Sequence, residues 1–339
     1  MAKNQRLSNR LGKSTVTRVV VYVLCALLII YSLTLLLFLF WGLITSLKNS
    51  YEFSSIESWN KVGFPILDKN AKFNSYEEFF HLKNYALIFQ NLEYFRVETF
   101  YQGQTLIVHQ AGNAANNYQV NMFGMLGNTL MYTVGGAAIY AFMPCMTAYL
   151  CAKYDDFKLS GIIFVVYLFM MCMPIVGNYP TELTFLRNAG LYDNIFGNYV
   201  QKMTGSGMYF FVYYAYFKGV SNTYREAAEI DGAPQIVIMF GIYFPLAIKM
   251  ISTVFLIQFV NLWNDYQTPL LYLPTFPTVA YAIFLLNSDD SSKLAGLRNL
   301  YGVTPKMAGC MMLAVPITIV FIVFKERLMG DVSLGGIKE

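Results

Sequence analysis

Val19–Leu43 reads VVVYVLCALLIIYSLTLLLFLFWGL, an unbroken apolar run without a single charge. A bilayer core takes about 20 mostly apolar residues of helix, so this stretch is long enough to cross unaided. Lys3, Arg6, Arg10, Lys13 and Arg18 precede it. A basic prefix also opens secretory signal peptides, but their apolar region is shorter and a small-residue cleavage site follows it. Neither condition is met, and the stretch reads as an uncleaved first helix with its N-terminus in the cytoplasm.

The rest of the chain agrees. Hydrophobic residues make up 56% of the 339 and charged residues 13%, against about 25% charged in a soluble globular chain. Such a chain cannot hide its apolar side chains in one water-facing core, and intrinsic disorder is excluded on the same grounds. A net charge of +4, scattered along the sequence, excludes a nucleic-acid binder. Cys25, Cys145, Cys151, Cys172 and Cys310 lie in or beside apolar stretches, so they read as small packing residues and not as a disulfide framework.

Five further spans are expected: Gly127 to Leu150, Leu159 to Pro174, Met203 to Phe217, Tyr243 to Trp263 and Met307 to Phe324. The second carries Gly135, Gly136, Ala137, Ala138 and Ala141, a small-residue surface for close helix packing. The fourth is short, with Gly205 and Gly207 interrupting it. Six spans put both termini on one side. The positive-inside rule agrees: Lys153, Lys158, Lys218, Arg225, Lys325, Arg327 and Lys338 join the N-terminal cluster inside. The short outer loops hold only Arg187, Lys202, Lys293, Arg298 and Lys306. Lys249 lies near the inner end of its helix, within snorkelling reach of the interface. The expected fold is an all-α polytopic bundle of six transmembrane helices. The layout is a basic cytoplasmic terminus (1–18), a first helix (19–43), an extracellular segment (44–126), a five-helix core (127–324) with a cytoplasmic loop at 224–245, and a cytoplasmic tail (325–339).

Catalytic signatures fail on inspection. Gly12-Lys13-Ser14 resembles the end of a phosphate-binding loop, but Leu7 stands where the first glycine is required. His81 and His109 have no metal-ligand spacing, and no nucleophile elbow or metalloprotease helix is present. The chain is expected to have no ATPase site, no cofactor and no metal of its own.

The informative segment is Tyr224-Arg225-Glu226-Ala227-Ala228-Glu229-Ile230-Asp231-Gly232-Ala233. Ala, Glu and Arg favour helix, and Gly232 supplies the left-handed residue that ends one. Ala227 and Ala228 leave a thin surface for a partner to grip, and Pro245 punctuates entry into the fifth span. An ordinary solvated loop helix remains an equal reading of these residues. Glu226-Ala227-Ala228, then three residues, then Gly232, with Pro245 thirteen further on, resemble the EAA loop of ABC importer permeases. With Ile230-Asp231-Gly232-Ala233 and Ile242, the chain is similar to the carbohydrate-uptake branch, of the maltose permease MalG type. Phe244 stands where that family usually has leucine. Asn128-Thr129-Leu130, Met173-Pro174, Ala189-Gly190-Leu191, Trp263-Asn264-Asp265, Pro269-Leu270 and Gly335-Gly336-Ile337-Lys338 extend the resemblance to most of the chain outside about 91–121.

That resemblance implies a permease subunit of a bacterial plasma-membrane importer. It would pair with a second, homologous permease, receive a sugar or oligosaccharide from an extracellular solute-binding protein, and be powered by two copies of an ABC ATPase that use ATP and magnesium. Glu226, Ala227, Ala228, Asp231, Gly232 and Pro245 would couple it to that ATPase. Tyr209, Tyr213 and Tyr214 in the fourth span are path candidates, because aromatic faces stack on sugars; packing within the bundle is the competing reading. Gln258, Asn261 and Asn264 share a broad helix face, where lining the path and bonding a neighbouring helix stand equal. Phe73, Tyr76, Phe79, Phe80, Tyr85 and Phe89 outline an amphipathic surface helix, and Gln102 to Gln119 reads as polar and partly extended. Other readings are an importer of a polyol or glycerol phosphoester, or a self-sufficient secondary transporter or channel, for which intramembrane carboxylates or an internal repeat would be expected.

Overall fold

The computed structural model describes residues 15–48, 82–101, 104–108, 118–173, 177–203, 207–288, 294–295 and 302–329. Phe73 to Phe80, Pro174, Gly205 and the glycine-rich tail at 335–338 lie outside the described residues. The chain divides into two compact units, Met1–Ala86 with Tyr301–Met311, and Leu87–Leu300 with Met312–Glu339.

In the first unit, helix α1 (Thr15–Ser46) is the span expected at 19–43, extended at both ends. From Val19 to Phe40 its apolar side chains are exposed, Val21 only partly, as a lipid-facing helix requires. Its last turn is buried instead. The Asn84 side-chain amide, at the start of helix α2 (Lys83–Asn91), donates to the carbonyls of Ser46 and Lys48, both at 2.8 Å. The Ser46 carbonyl ends the helix with no intrahelical donor, and that of Lys48 lies just beyond it. The Ser46 hydroxyl meets the Tyr85 hydroxyl at 2.7 Å.

The second unit opens on an antiparallel sheet, which the all-α expectation did not include. Strand β1 (Glu93–Tyr101) pairs with β2 (Gln104–Val108), with Val97 opposite Val108, and with β3 (Tyr118–Val120), with Tyr94 opposite Val120. The later β4 (Leu294–Ala295) also pairs with β1. Alternating aromatic, β-branched and polar residues in EYFRVETFY favour strand. Of the stretch read as partly extended, Gln102 to Gln119, the described residues 104–108 and 118–119 lie in strands.

The helical core of this unit follows. Helix α3 (Met122–Lys153) is longer than the expected Gly127 to Leu150 and contains a π segment at Met131–Gly135. Short helices α4 (Lys158–Cys172), α5 (Tyr179–Asn188), α6 (Ile195–Lys202), α7 (Gly207–Gly219) and α8 (Thr223–Ile230) lead to α9 (Gln235–Trp263). Helices α10 (Gln267–Tyr272), α11 (Val279–Asn287) and α12 (Val303–Met329) complete the described chain. Four of these helices, α1, α3, α9 and α12, are long and apolar enough to cross a membrane; α4 is apolar but shorter. The described part of the fourth expected span is α7, Gly207–Gly219.

Packing explains the arrangement. Ala137, Ala141, Cys145, Ala148 and Ala152 recur at helical spacing along α3 and are all buried. Small side chains on one face let backbones approach closely. Against most of this face pack Phe210, Tyr213 and Phe217 of α7 and Tyr243, Ala247, Ile251 and Val254 of α9. Helix α9 starts at Gln235, after Pro234, well before the entry point assigned to Pro245. Its π segment, Met239–Tyr243, closes with the Phe244 N–H bonded to the Met239 carbonyl. This wide turn lies immediately ahead of Pro245, which has no N–H to return to Gly241 and whose ring crowds that carbonyl. The helix therefore continues through the proline instead of beginning there.

Candidate functional site

Two polar constructions stand out in the second unit. The first surrounds α8. Asn222 occupies its N-cap position but makes no side-chain cap. Its Oδ1 instead accepts from the Lys153 ammonium at 2.8 Å. Lys153, the last residue of α3, also donates to the Val220 carbonyl at 2.5 Å, and its ammonium sits 5.2 Å from the centre of the Tyr243 ring. It is 4% exposed, so its charge is stabilised by these acceptors and not by water. Arg225 on α8 donates back to the Lys153 carbonyl and faces the Tyr154 ring. Arg225 also pairs with Glu229 at 3.4 Å, one turn along. Glu229 accepts from Gln235 at 2.9 Å, and Gln235 accepts from the Tyr154 hydroxyl. One side of α8 is thereby tied to the end of α3 and the start of α9. Nearby, the Lys218 ammonium bonds Asp155 at 2.5 Å and, by that bond and then by its charge, holds the Asp155 carboxyl below its usual range.

The end of α8 is a Schellman motif. The Gly232 N–H reaches the Glu229 carbonyl at 3.0 Å, and the Ala233 N–H reaches that of Ala228 at 2.9 Å. Gly232 has φ +76°, the left-handed conformation this ending needs. Ala228 is buried against the core, whereas Glu226, Ala227 and Asp231 are exposed. Ser221, Tyr224, Ala227, Ala228, Asp231 and Ile242 line an open hollow of about 600 Å³. Ile230 projects from the helix 86% exposed, and Ile236 and Val237 beyond it are also exposed. A charged rim, a thin alanine surface and uncovered apolar side chains form a surface suited to a protein partner. Pro245 lies apart from it, inside α9.

The second construction lies at the far end of α9. Gln258, Asn261 and Asn264 do converge, lining a hollow of about 340 Å³ with Tyr140, Leu262, Asp265, Tyr266 and Gln267. The Tyr132 hydroxyl donates to Asp265 Oδ2 at 2.5 Å, and Asp265 Oδ1 accepts the Thr268 N–H at 3.1 Å. Behind them, Lys202 donates to the Tyr132 hydroxyl at 3.3 Å and sits 4.6 Å from the centre of that ring. Lys202 was read as an outer-loop charge, yet it is 4% exposed. Burial pushes its ammonium down to about 8, against the opposing pull of Asp265 and Glu182. Glu182 itself accepts from Asn178, Gln201 and Tyr272 at 2.7, 3.0 and 2.8 Å.

The tyrosines of α7 are not brought to this hollow. Tyr213 is fully buried in the core, and Tyr209 and Tyr214 are half-buried against it. The Tyr214 ring packs 5.0 Å from Phe164. Core packing on α3 and α4 occupies these faces. Sequence reasoning missed Lys153, Asn222, Tyr132, Lys202 and Asp265 as interacting groups, because their partners lie up to 133 residues away. The one available signal was a charge or amide at the end of an apolar run.

Comparison with known proteins places this geometry. The probable starch degradation products transport system permease protein of Thermoanaerobacterium thermosulfurigenes is 27% identical over 70% of this chain and 82% of its own. The arabinooligosaccharides transport system permease protein of Bacillus subtilis is 26% identical over 62% of this chain and 72% of its own. The melibiose/raffinose/stachyose import permease protein of the same organism is 24% identical, covering 62% and 74%. Among solved structures, a chain of a bacterial ABC transporter involved in the import of the acidic polysaccharide alginate superposes with a TM-score of 0.63, covering 93% of this chain and 98% of that one at 17% identity, a likeness of fold. Residues 145–329, more than half of the sequence, match the family profile of the binding-protein-dependent transport system inner membrane component, and the chain, a multi-pass membrane protein, belongs to that family.

Proposed function

We propose that this chain is one of two homologous permease subunits of an ABC importer that carries a sugar or oligosaccharide handed over by an extracellular solute-binding protein. Two copies of a separate ATPase, which bind the ATP and magnesium, power it. The observation that carries this reading is α8: a short helix rigidly tied on one side, terminated by Gly232, with Glu226 and Ala227 exposed beside an open hollow. The saccharide is taken from the sugar-transporting relatives above. In this reading α8 is the coupling helix, docked in a cleft of the ATPase. Helices α4 and α7 complete six spans with α1, α3, α9 and α12, and both termini face the cytoplasm. The hollow at the end of α9 borders the translocation path.

Two measurements test it. In cells lacking this gene, uptake of one labelled oligosaccharide from a panel should fall to background and return with the gene; unchanged uptake across the panel overturns the reading. A cysteine at Asn116, outside the described residues, should react with an impermeant reagent from outside, and one at Glu229 should not. Reversed labelling would invert the assignment of α8 to the ATPase side.

A further inference from the structure

We infer that the hollow at the end of α9 accepts neutral saccharides and turns away uronates, and that Asp265 sets this preference. The inference rests on the sugar-importer reading and adds the charge class of the cargo.

Gln258, Asn261 and Asn264 bring side-chain amides to the lining, with Tyr140 and Tyr266 beside them. An amide both donates and accepts, as a sugar hydroxyl does. The Tyr266 ring is held in place by stacking on Phe284, 4.2 Å between centres and 11° from parallel, which gives a fixed aromatic face. Among the described lining residues Asp265 is the one carboxylate, and none is a lysine, arginine or histidine. Its carboxylate is held by the Tyr132 hydroxyl and the Thr268 N–H, and its remaining lone pairs can accept from neutral hydroxyls in charge-assisted bonds. The cation of this cluster, Lys202, does not line the hollow. It is buried behind Tyr132 and directed at that hydroxyl. Glu182 beyond it adds a second negative charge, satisfied by its own donors. Among the described lining residues, a ligand carboxylate entering here meets a carboxylate and no ammonium or guanidinium. Like charges facing each other in a partly desolvated site are a device for rejecting the wrong ligand. The alginate transporter shares this fold, so the preference must reside in side chains and not in the architecture.

The test uses the purified complex of both permeases and the ATPase, without the binding protein, so that the permease site is read alone. Equilibrium dialysis compares labelled maltotriose, raffinose and arabinotriose with trigalacturonate. The best-bound neutral trisaccharide should exceed trigalacturonate by about tenfold or more. Asp265→Asn, which keeps the size and the acceptor for Thr268, should narrow that ratio about tenfold by raising trigalacturonate binding. Should Asp265→Asn fail to assemble, Asn261→Lys places a cation at the mouth and should also favour trigalacturonate. Equal binding of both classes by the unaltered complex, or a ratio unmoved by the variant that assembles, overturns the inference. So does a lack of neutral binding in a complex whose uptake panel is positive. A negative uptake panel instead removes the sugar reading beneath it, and the inference with it.

Discussion

Replacing Ala227 with tryptophan should stop import, while the chain should still insert and retain its partner permease. Ala227 is exposed on α8 and lines its hollow, so a bulky side chain meets nothing of this chain's own core. Ala228, one residue on, is buried, and the same change there breaks internal packing; the pair separates a docking defect from a folding defect. The double change Glu226→Ala with Gly232→Val acts on the same surface differently. Glu226 loses a carboxylate whose bond to a basic or amide partner is worth about 1.5–3 kcal/mol when shielded. At Gly232 an added Cβ meets nothing within 4 Å, so the cost is purely conformational, about 1–2 kcal/mol for a residue held at positive φ. Together these correspond to a loss of about 100-fold or more in transport, because coupling depends on a contact whose energy differs between the inward- and outward-facing states. Binding-protein-stimulated ATPase activity, measured beside uptake in proteoliposomes, should fall with it. Normal import and normal stimulation in both variants would remove α8 from the mechanism.

Lys153→Met should uncouple the transporter without dismantling it. The substitution leaves the Val220 carbonyl and Asn222 Oδ1 without their ammonium donor, at a cost of about 1–3 kcal/mol. The complex should melt several degrees lower and, more tellingly, move less solute per ATP, because of the ties between α8 and the end of α3 only the Arg225 bond to the residue-153 carbonyl remains. Lys153→Arg should restore part of that ratio, which a general loss of stability would not. Lys218→Met is the control. Its side chain is 39% exposed and that of its partner Asp155 57%, and exposed pairs contribute about 0–1 kcal/mol. Equal effects at positions 153 and 218 would count against the tie.

The features most legible in the sequence were those set by local chemistry. A charge-free apolar run must be helical in a bilayer, because a helix satisfies its own backbone hydrogen bonds there, and α1 covers Val19–Leu43 in full. Gly232 takes the left-handed conformation read for it, since glycine lacks the Cβ that penalises it. Gln258, Asn261 and Asn264 share a hollow because their helical spacing already placed them on one face. Element boundaries were less legible. Pro245 looked like a helix start, and the π segment before it lets α9 run from Gln235 instead.

By itself, then, the sequence determined the membrane character, the short α8 with its glycine ending and the family to which they point, all of which follow from composition and from residues close along the chain. Only the tertiary structure decided which of the polar and aromatic residues face one another. Tyr213 became core because the alanine face of α3 draws α7 against it. Lys153 and Lys202 look alike as charges at the ends of apolar stretches, yet each is buried among acceptors contributed from 67 to 70 residues away. The free energy of a buried charge is fixed by the groups packed around it, and chain distance carries no record of those neighbours.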